Sequence, residues 1–324
     1  METSKFGTQV FIRSDMIRWA VTLVVVVVDA IWLFLSNHTV TGVESMIAFL
    51  LPGFVWTSLT LIGLIPRYRE VSAKFFTHKI QVTAHCFALL FIFGKAAGML
   101  QYLTVTLNFP TVDTELDGMD RAIGFSWISV YYWVQSHALI NSILHITYYS
   151  LFFQLLAIPW FLGLTGRGRY LREMLSTTML SCLLTIAISA VFPAHSAYTY
   201  FHVEVEEKLL SVSHFDLLRN GIMRAIDIGA TQGLVSMPSY HTILAILFTW
   251  SLRSCRPAFL LAIIWNFVMI LSTPTEGGHY LVDVFGGIAT AAITVAAIGW
   301  LSEPHRMRRF YGVPALFRQF VRGG

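Results

Sequence analysis

Two histidines in the last third of the chain have surroundings that suit nucleophilic and acid–base chemistry. The first lies in Met237-Pro238-Ser239-Tyr240-His241 and the second in Gly277-Gly278-His279-Tyr280-Leu281-Val282-Asp283. A helix that begins near His279 places Asp283, four positions later, on the same face. Asp283 could then hold one ring nitrogen of His279 and leave the other free as a nucleophile. His241 would act as general acid for the leaving oxygen and as general base for the incoming one.

Both motifs also carry the signals of a helix start, where an anion can bind. Pro238 is suited to the first helical position, which places Ser239, Tyr240 and His241 in the first turn. The free backbone amides and the dipole of that turn favour an anion such as phosphate. The Gly277-Gly278 pair lets the chain approach a ligand closely. We therefore expect Ser239 and Gly278 to contribute to a phosphate-binding site.

The composition sets the class of protein in which these motifs occur. Of 324 residues, 56% are hydrophobic and 12% are charged, and the mean hydropathy is +0.65. These values exclude an ordinary water-soluble domain and predict an all-α bundle of membrane-spanning helices. Eight apolar runs are candidate spans: 18–35, 45–65, 80–107, 137–162, 172–192, 238–252, 257–272 and 279–301. The sixth and seventh are shorter than the roughly 20 residues that a bilayer requires.

The basic residues predict the orientation of the bundle. Segments on one side of the predicted membrane hold 17 Lys and Arg residues, and those on the other side hold four, namely Arg121, Lys208, Arg219 and Arg224. The positive-inside rule then places both termini in the cytoplasm and both histidine motifs on the opposite face. We divide the chain into a two-span N-terminal segment (1–78), a core (79–304) and a basic cytoplasmic tail (305–324).

Two long loops share the face of the histidines. The first, about 108–136, carries the charged residues Asp113, Glu115, Asp117, Asp120 and Arg121. We expect a solvated, capped loop there, with headgroup binding by Asp113, Asp117, Asp120 and Arg121 as the alternative. The second, about 193–237, has apolar residues at near-helical intervals from Val205 to Ile228, which predicts an amphipathic helix that carries Arg219 and Arg224.

Taken together, the motifs resemble those of the type 2 phosphatidic acid phosphatase superfamily. Pro238-Ser239-Tyr240-His241 is similar to its second signature motif, and Gly278-His279-Tyr280-Leu281-Val282-Asp283 is similar to its third. The branch with inositol phosphorylceramide synthase is the better match, since the pattern from Asp113 to Trp127 also resembles it. The resemblance covers roughly residues 80–301. It implies a six-helix catalytic core and a metal-independent mechanism in which His279 attacks phosphorus, Asp283 orients it and His241 protonates the departing alkoxide.

The chain also departs from the superfamily pattern. Tyr240 stands where the second motif usually has Gly, and Ser272-Thr273 stands where the third usually has Ser-Arg. The basic first motif is not found intact, yet a transferred phosphoryl group needs positive charge around it. By elimination, Arg219 is the leading candidate for phosphate binding, and Arg224 is the second.

Other interpretations of the same residues remain open. Either histidine alone is more typical of an interfacial ring bonded to backbone, whereas the pair with Asp283 favours catalysis. Asp29 and Lys95 lie within predicted spans, where we expect a structural ion pair. A lipid transporter or flippase is the alternative to an enzyme. In that case Asp29 and Lys95 would be the coupling charges.

The sequence therefore predicts a lipid phosphate phosphatase or a phosphotransferase, with inositol-phosphate or other phosphoalcohol transfer to a lipid hydroxyl as the alternative. We expect a membrane lipid as substrate, an alcohol as a second substrate in transfer, and neither cofactor, metal nor nucleic acid. The expected location is a bacterial inner membrane with the active site facing the periplasm, or an organelle membrane with the site facing the lumen.

Overall fold

A computed structural model describes residues 2–44, 76–203 and 213–302, and their fold is mostly helical. Within these ranges, six helical segments are long and apolar enough to cross a membrane, which confirms a multi-pass membrane protein. They are Asp15–Ser36, Lys79–Val105, Ala138–Leu164, Gly168–Val191, Arg256–Gly277 and Leu281–Leu301. The predicted span 45–65 and the basic tail 305–324 lie outside the described residues.

Helices make up most of the described part of the chain. In chain order they are α1 (Glu2–Ser36), α2 (Phe76–Val105), α3 (Asp113–Ala122), α4 (Trp127–Gln135), α5 (Ala138–Leu164), α6 (Gly168–Val191), α7 (Ala197–Tyr200), α8 (His214–Arg219), α9 (Tyr240–Ser251), α10 (Arg256–Gly277) and α11 (Leu281–Ser302). A 3₁₀ turn, Leu252–Ser254, joins α9 to α10. Two short strands, β1 (Thr39–Thr41) and β2 (Ala225–Asp227), pair in parallel and add a small ribbon to the predicted all-α fold.

Helix α9, which begins the first histidine motif, lies in the middle of the bundle. It packs against α5, α6, α10 and α11, and Ile243, Ala245 and Phe248 are fully buried. A helix that is apolar on all sides is stable only when it is surrounded by other helices. This explains why α9 can have 12 residues, fewer than the roughly 20 of a lipid-exposed span.

Helices α9 and α11 approach each other closely near the two histidine motifs. A Cβ atom at Gly287 would lie 2.7 Å from the carbonyl oxygen of Ser239 and 2.9 Å from Cβ of Thr242. Only glycine leaves room for this contact between the start of α9 and the second turn of α11. The two motifs therefore lie at the same end of the bundle, which we call the histidine end.

The N-terminal span belongs to the same bundle as the core. Helix α1 packs against α2, and Val25 shares a buried cluster with Leu89 and Phe93. The described part of the N-terminal segment therefore packs on the core, and the division of the chain at residue 78 stays a prediction.

Both long loops at the histidine end differ from their predicted structure. The first forms helices α3 and α4, and Asp113, Asp117 and Asp120 are buried, so the expectation of a solvated loop was wrong. Residues 205–212 of the helix predicted from Val205 to Ile228 lie outside the described residues. Over the rest of its length the prediction is wrong, because α8 ends at Arg219 and β2 follows. Asn220 and Gly221, with a positive φ of 66° at the glycine, form the kind of turn that commonly ends a helix.

The expected ion pair between Asp29 and Lys95 is not formed. The ammonium group of Lys95 donates a hydrogen bond to the carbonyl oxygen of Ile228 at 2.8 Å. Asp29 is buried, and its Oδ1 atom has no hydrogen-bond partner among the described residues. A backbone carbonyl satisfies Lys95 without a second charge, which is why the pairing inferred from the sequence was unnecessary.

Candidate active site

The second histidine motif occupies the turn between α10 and α11. Helix α10 ends at Gly277, and Gly278 caps it with a φ of 63°, a conformation that glycine adopts without strain. A Cβ atom at Gly278 would lie 2.6 Å from the ring of Tyr198. The amide of Gly278 donates to the carbonyl of Thr273 and ends the helix. This amide is therefore not free to donate to a phosphate, as the predicted role of Gly278 would require.

The imidazole of His279 is held by a backbone carbonyl. Its Nδ1 atom lies 2.9 Å from the carbonyl oxygen of Ser236 and 3.6 Å from Oδ2 of Asp283. The first distance is a hydrogen bond and the second is too long for one. Because a carbonyl only accepts, Nδ1 carries the proton and Nε2 keeps its lone pair. The tautomer is the predicted one, but Ser236 fixes it in place of Asp283.

Asp283 instead holds the two motifs together. Its Oδ2 atom accepts from the Ser236 hydroxyl at 3.1 Å and from the Tyr280 amide at 3.0 Å, and its backbone carbonyl accepts from the Ser239 amide at 3.0 Å. The carboxylate remains close enough to His279 to stabilise a positive charge on the ring. Ser236 was not predicted as a site residue, because no spacing rule links it to His279.

His241 lies in the first turn of α9, as predicted. Ser239 is the N-cap of this helix: its hydroxyl accepts from the backbone amide of Thr242 at 3.4 Å. Pro238 therefore precedes the cap and does not occupy the first helical position, which corrects the prediction. The backbone amides of Tyr240 and His241 have no hydrogen-bond partner in the described parts of the chain. They are the free donors that favour an anion at a helix start.

Tyr148 on α5 lies against His241 and beside Gly277, and no sequence pattern predicted it. Its ring stacks on His241 with centroids 4.1 Å apart and an interplanar angle of 14°. A Cβ atom at Gly277 would lie 2.8 Å from Cδ2 of His279 and 2.9 Å from the Tyr148 hydroxyl. The Nε2 atom of His241 is buried and has no partner among the described residues.

Two carboxylates of α3 fix the segment around His279. Asp120 accepts from the backbone amides of Leu281 and Val282 at 2.8 and 2.9 Å, so it caps the N-terminus of α11 from another helix. Asp113 accepts from the Tyr280 hydroxyl at 3.0 Å. These contacts give both residues a positioning role. Binding of a headgroup by them stays a prediction.

The remaining two residues of the predicted headgroup set pair with each other. Asp117 lies 2.5 Å from a guanidinium nitrogen of Arg121, four positions later on the same helix face. Arg121 is largely exposed. Neither residue contacts the histidines, and their role in headgroup binding also stays a prediction.

His195, which the sequence did not single out, bridges two carboxylates beside this segment. Its Nδ1 atom lies 3.3 Å from Asp113 and its Nε2 atom lies 2.8 Å from Asp216. The hydrogen bond with Asp113 raises the pKa of His195, burial opposes this, and Asp216 raises the pKa further. Burial would raise the pKa of Asp113, but the hydrogen bonds from His195 and Tyr280 lower it overall.

The two arginines proposed for phosphate binding have different surroundings. The guanidinium of Arg219 lies over the Phe215 ring at 5.4 Å, and its Nη1 atom is buried without a hydrogen-bond partner among the described residues. Arg224 instead donates to the carbonyl of Ser36, at the end of α1, at 3.2 Å. An unsatisfied buried donor favours an acceptor such as phosphate, so Arg219 remains the stronger candidate.

The chemistry that these contacts allow can be stated without a metal or a cofactor. Two imidazoles each present an Nε2 atom at the histidine end, beside free amides, and a carboxylate lies near one of them. Such a set supports attack on phosphorus by one ring and proton transfer by the other. Within the described ranges, no group of three or more His, Cys, Asp or Glu side chains forms a candidate metal site.

Comparison with known proteins agrees with this geometry. A family model described as the PAP2 superfamily matches residues 114–297, which is more than half of the 324 residues and includes both histidine motifs. Members of that superfamily are phosphatases and phosphotransferases. No curated protein and no solved structure gives a significant match. The extent of the matched region shows that the chain belongs to the PAP2 superfamily.

Proposed function

We propose that the protein is an integral membrane enzyme that cleaves a lipid phosphate ester through a phosphohistidine on His279. Hydrolysis is the default outcome, because water needs no binding site of its own. Transfer of an inositol phosphate or another phosphoalcohol to a lipid hydroxyl is the alternative, and it corresponds to the branch with inositol phosphorylceramide synthase.

One observation carries this proposal: Nδ1 of His279 donates a hydrogen bond to the carbonyl oxygen of Ser236. This leaves the lone pair of Nε2 available to attack phosphorus. In the first step, Nε2 of His279 forms a bond to phosphorus, and the bond between phosphorus and the ester oxygen breaks. His241 enters this step as an imidazolium and gives its Nε2 proton to that oxygen, so an alcohol leaves and His241 becomes neutral. The nearby Asp283 carboxylate stabilises the positive charge that develops on His279.

The second step decides between a phosphatase and a transferase. His241 takes a proton from water or from an alcohol. The oxygen of that molecule attacks phosphorus, and the bond between phosphorus and Nε2 of His279 breaks. Water yields the free phosphate species, whereas an alcohol yields a new phosphoester. The amides of Tyr240 and His241, together with Arg219, would stabilise the negative charge of the transferred group.

We further propose that the histidine end faces away from the cytoplasm. Arg167, Arg169, Arg172, Arg253 and Arg256 lie where α5 meets α6 and where α9 meets α10, at the opposite end of the bundle. The positive-inside rule places that basic end in the cytoplasm. The active site would then face a bacterial periplasm or an organelle lumen.

The test uses purified protein and lipids labelled in the phosphate group, with and without inositol or a lipid alcohol. His279→Ala should lower turnover by on the order of 10³-fold or more, since the nucleophile is lost. His137→Ala is a matched control, because His137 is exposed at the same end and its ring bonds to the carbonyl of Trp133 in the preceding turn.

The products separate the two activities. Free phosphate as the only labelled product identifies a phosphatase, and a labelled phosphodiester that requires the added alcohol identifies a transferase. Full turnover by the His279→Ala protein would refute the phosphohistidine mechanism.

A further inference from the structure

A second histidine–carboxylate pair lies close to the site and has no part in the steps above. Nδ1 of His145 on α5 lies 3.0 Å from Oε2 of Glu276 on α10. The Glu276 side chain is 2% exposed, whereas that of His145 is 54% exposed. Since the carboxylate accepts, Nδ1 of His145 carries the proton. In the neutral imidazole, the Nε2 atom then presents a lone pair, and no described residue donates to it.

A row of aromatic rings connects this exposed imidazole to the buried one of His241. The His145 ring lies 4.6 Å from Tyr149, and Tyr149 lies 5.4 Å from Tyr148. Tyr148 in turn stacks on His241 at 4.1 Å. Glu276 is also three positions before His279. The His145–Glu276 pair is therefore linked to the two histidines by the aromatic row and by the last turn of α10.

The residues around His145 indicate which part of a lipid it would contact. Ile143 and Ile146, its neighbours on α5, are exposed apolar residues of a candidate membrane span. His145 follows the start of α5 by two turns, and Glu276 is in the last turn of α10, so the pair lies near the histidine end of both spans. A polar side chain among lipid-facing residues at this depth is adjacent to lipid headgroups.

We propose that His145 and Glu276 form a headgroup subsite that binds a hydrogen-bond donor, a hydroxyl or an ammonium group, of a lipid beside the phosphate site. This inference rests on the proposed function. The lipid would reach the site from the lipid-facing side of α5 and α10. Glu276 fixes the tautomer of His145, and Nε2 accepts from the headgroup. The aromatic row then places the neighbouring phosphate near His241 and His279.

The experiment measures lipid binding to the full-length protein in mixed micelles, in a His279→Ala background so that no lipid is consumed. The probes are phosphatidylglycerol, phosphatidylethanolamine and phosphatidic acid, each with a dansyl group on one acyl chain, and the readout is energy transfer from tryptophan. Two variants are compared: His145→Leu removes the acceptor, and Glu276→Gln keeps the ring but no longer fixes its tautomer. His137→Leu is the control.

Both variants should weaken binding of a headgroup-bearing lipid by roughly three- to tenfold, the range for one hydrogen bond. Binding of phosphatidic acid, which has no headgroup alcohol or amine, should change by less than about twofold. A loss confined to phosphatidylglycerol identifies a hydroxyl as the ligand, and one confined to phosphatidylethanolamine identifies an ammonium group. Equal losses for all three lipids, or none, would overturn the subsite.

The binding result does not depend on turnover. Absence of phosphate release by the wild-type protein would refute the proposed function and leave the comparison of the three lipids valid. Normal turnover by the wild type together with unchanged binding by His145→Leu would refute the subsite alone.

Discussion

Asp120→Ala should both destabilise the protein and displace His279, the proposed nucleophile. Asp120 is fully buried and caps α11 through the amides of Leu281 and Val282 at 2.8 and 2.9 Å. Hydrogen bonds to a charged group contribute roughly 1.5–3 kcal/mol each, and a helix cap contributes about 0.5–2 kcal/mol. Since the two bonds share one carboxylate and are not additive, we expect a loss of about 2–4 kcal/mol in the free energy of unfolding.

The effect on catalysis follows from the position of these amides, two and three residues after His279. Without the cap, the start of α11 can shift, and a displacement of about 1 Å at a reacting group can lower the rate by about 10²-fold. We expect kcat to fall by roughly ten- to a hundredfold, with a smaller change in KM. Asp120→Asn keeps one acceptor oxygen and should give an intermediate effect on both quantities.

Asp117→Ala is the matched control, on the same helix. The Asp117 side chain is 7% exposed and pairs with Arg121, whose side chain is 67% exposed. Because solvent around Arg121 screens this pair, we expect its loss to cost about 1 kcal/mol, less than the loss of the α11 cap. Unfolding is measured by titration of mixed micelles with dodecyl sulfate, and activity by phosphate release. The capping argument would be refuted if Asp120→Ala lost no more stability and no more activity than Asp117→Ala.

Three further perturbations test other contacts of the site. Tyr148→Phe keeps the stack on His241 and should retain most activity, whereas Tyr148→Leu should lower kcat by about tenfold or more; equal losses would assign the effect to the hydroxyl. Ser236→Ala keeps the backbone carbonyl that holds the nucleophilic ring but removes a donor to Asp283, so it should destabilise by about 1–3 kcal/mol and lower kcat less than Asp283→Ala does; the opposite order would contradict our assignment of these contacts. The pKa of His195 is raised in the folded state, so its contribution to stability is fully present below its unfolded pKa and is lost as the pH rises through the folded pKa. His195→Gln should therefore lower the melting temperature more at pH 6 than at pH 9, and a pH-independent loss would argue against this linkage.

Some features could be predicted because their signals are local in sequence. Long apolar runs predicted the six candidate spans of the described residues, although the run at 257–272 was shorter than the helix that contains it. Helix-start residues placed His241 in the first turn of α9. Prediction failed where a local signal was outweighed: the apolar spacing from Val205 to Ile228 suggested one helix, but the turn at Asn220 and Gly221 ends α8.

The contacts that shape the site were decided by tertiary structure alone. Ser236 reaches His279 across 43 positions, Asp120 caps α11 from 161 positions away, and Tyr148 meets His241 only because α5 packs against α9. No periodicity encodes such partners, since they depend on which helices become neighbours. Residue types and their spacing were enough to identify the side chains that we propose to react with phosphorus. The packing of the bundle determined how those side chains are oriented, because hydrogen-bond donors and acceptors buried among helices must find partners on whichever chain segments lie beside them.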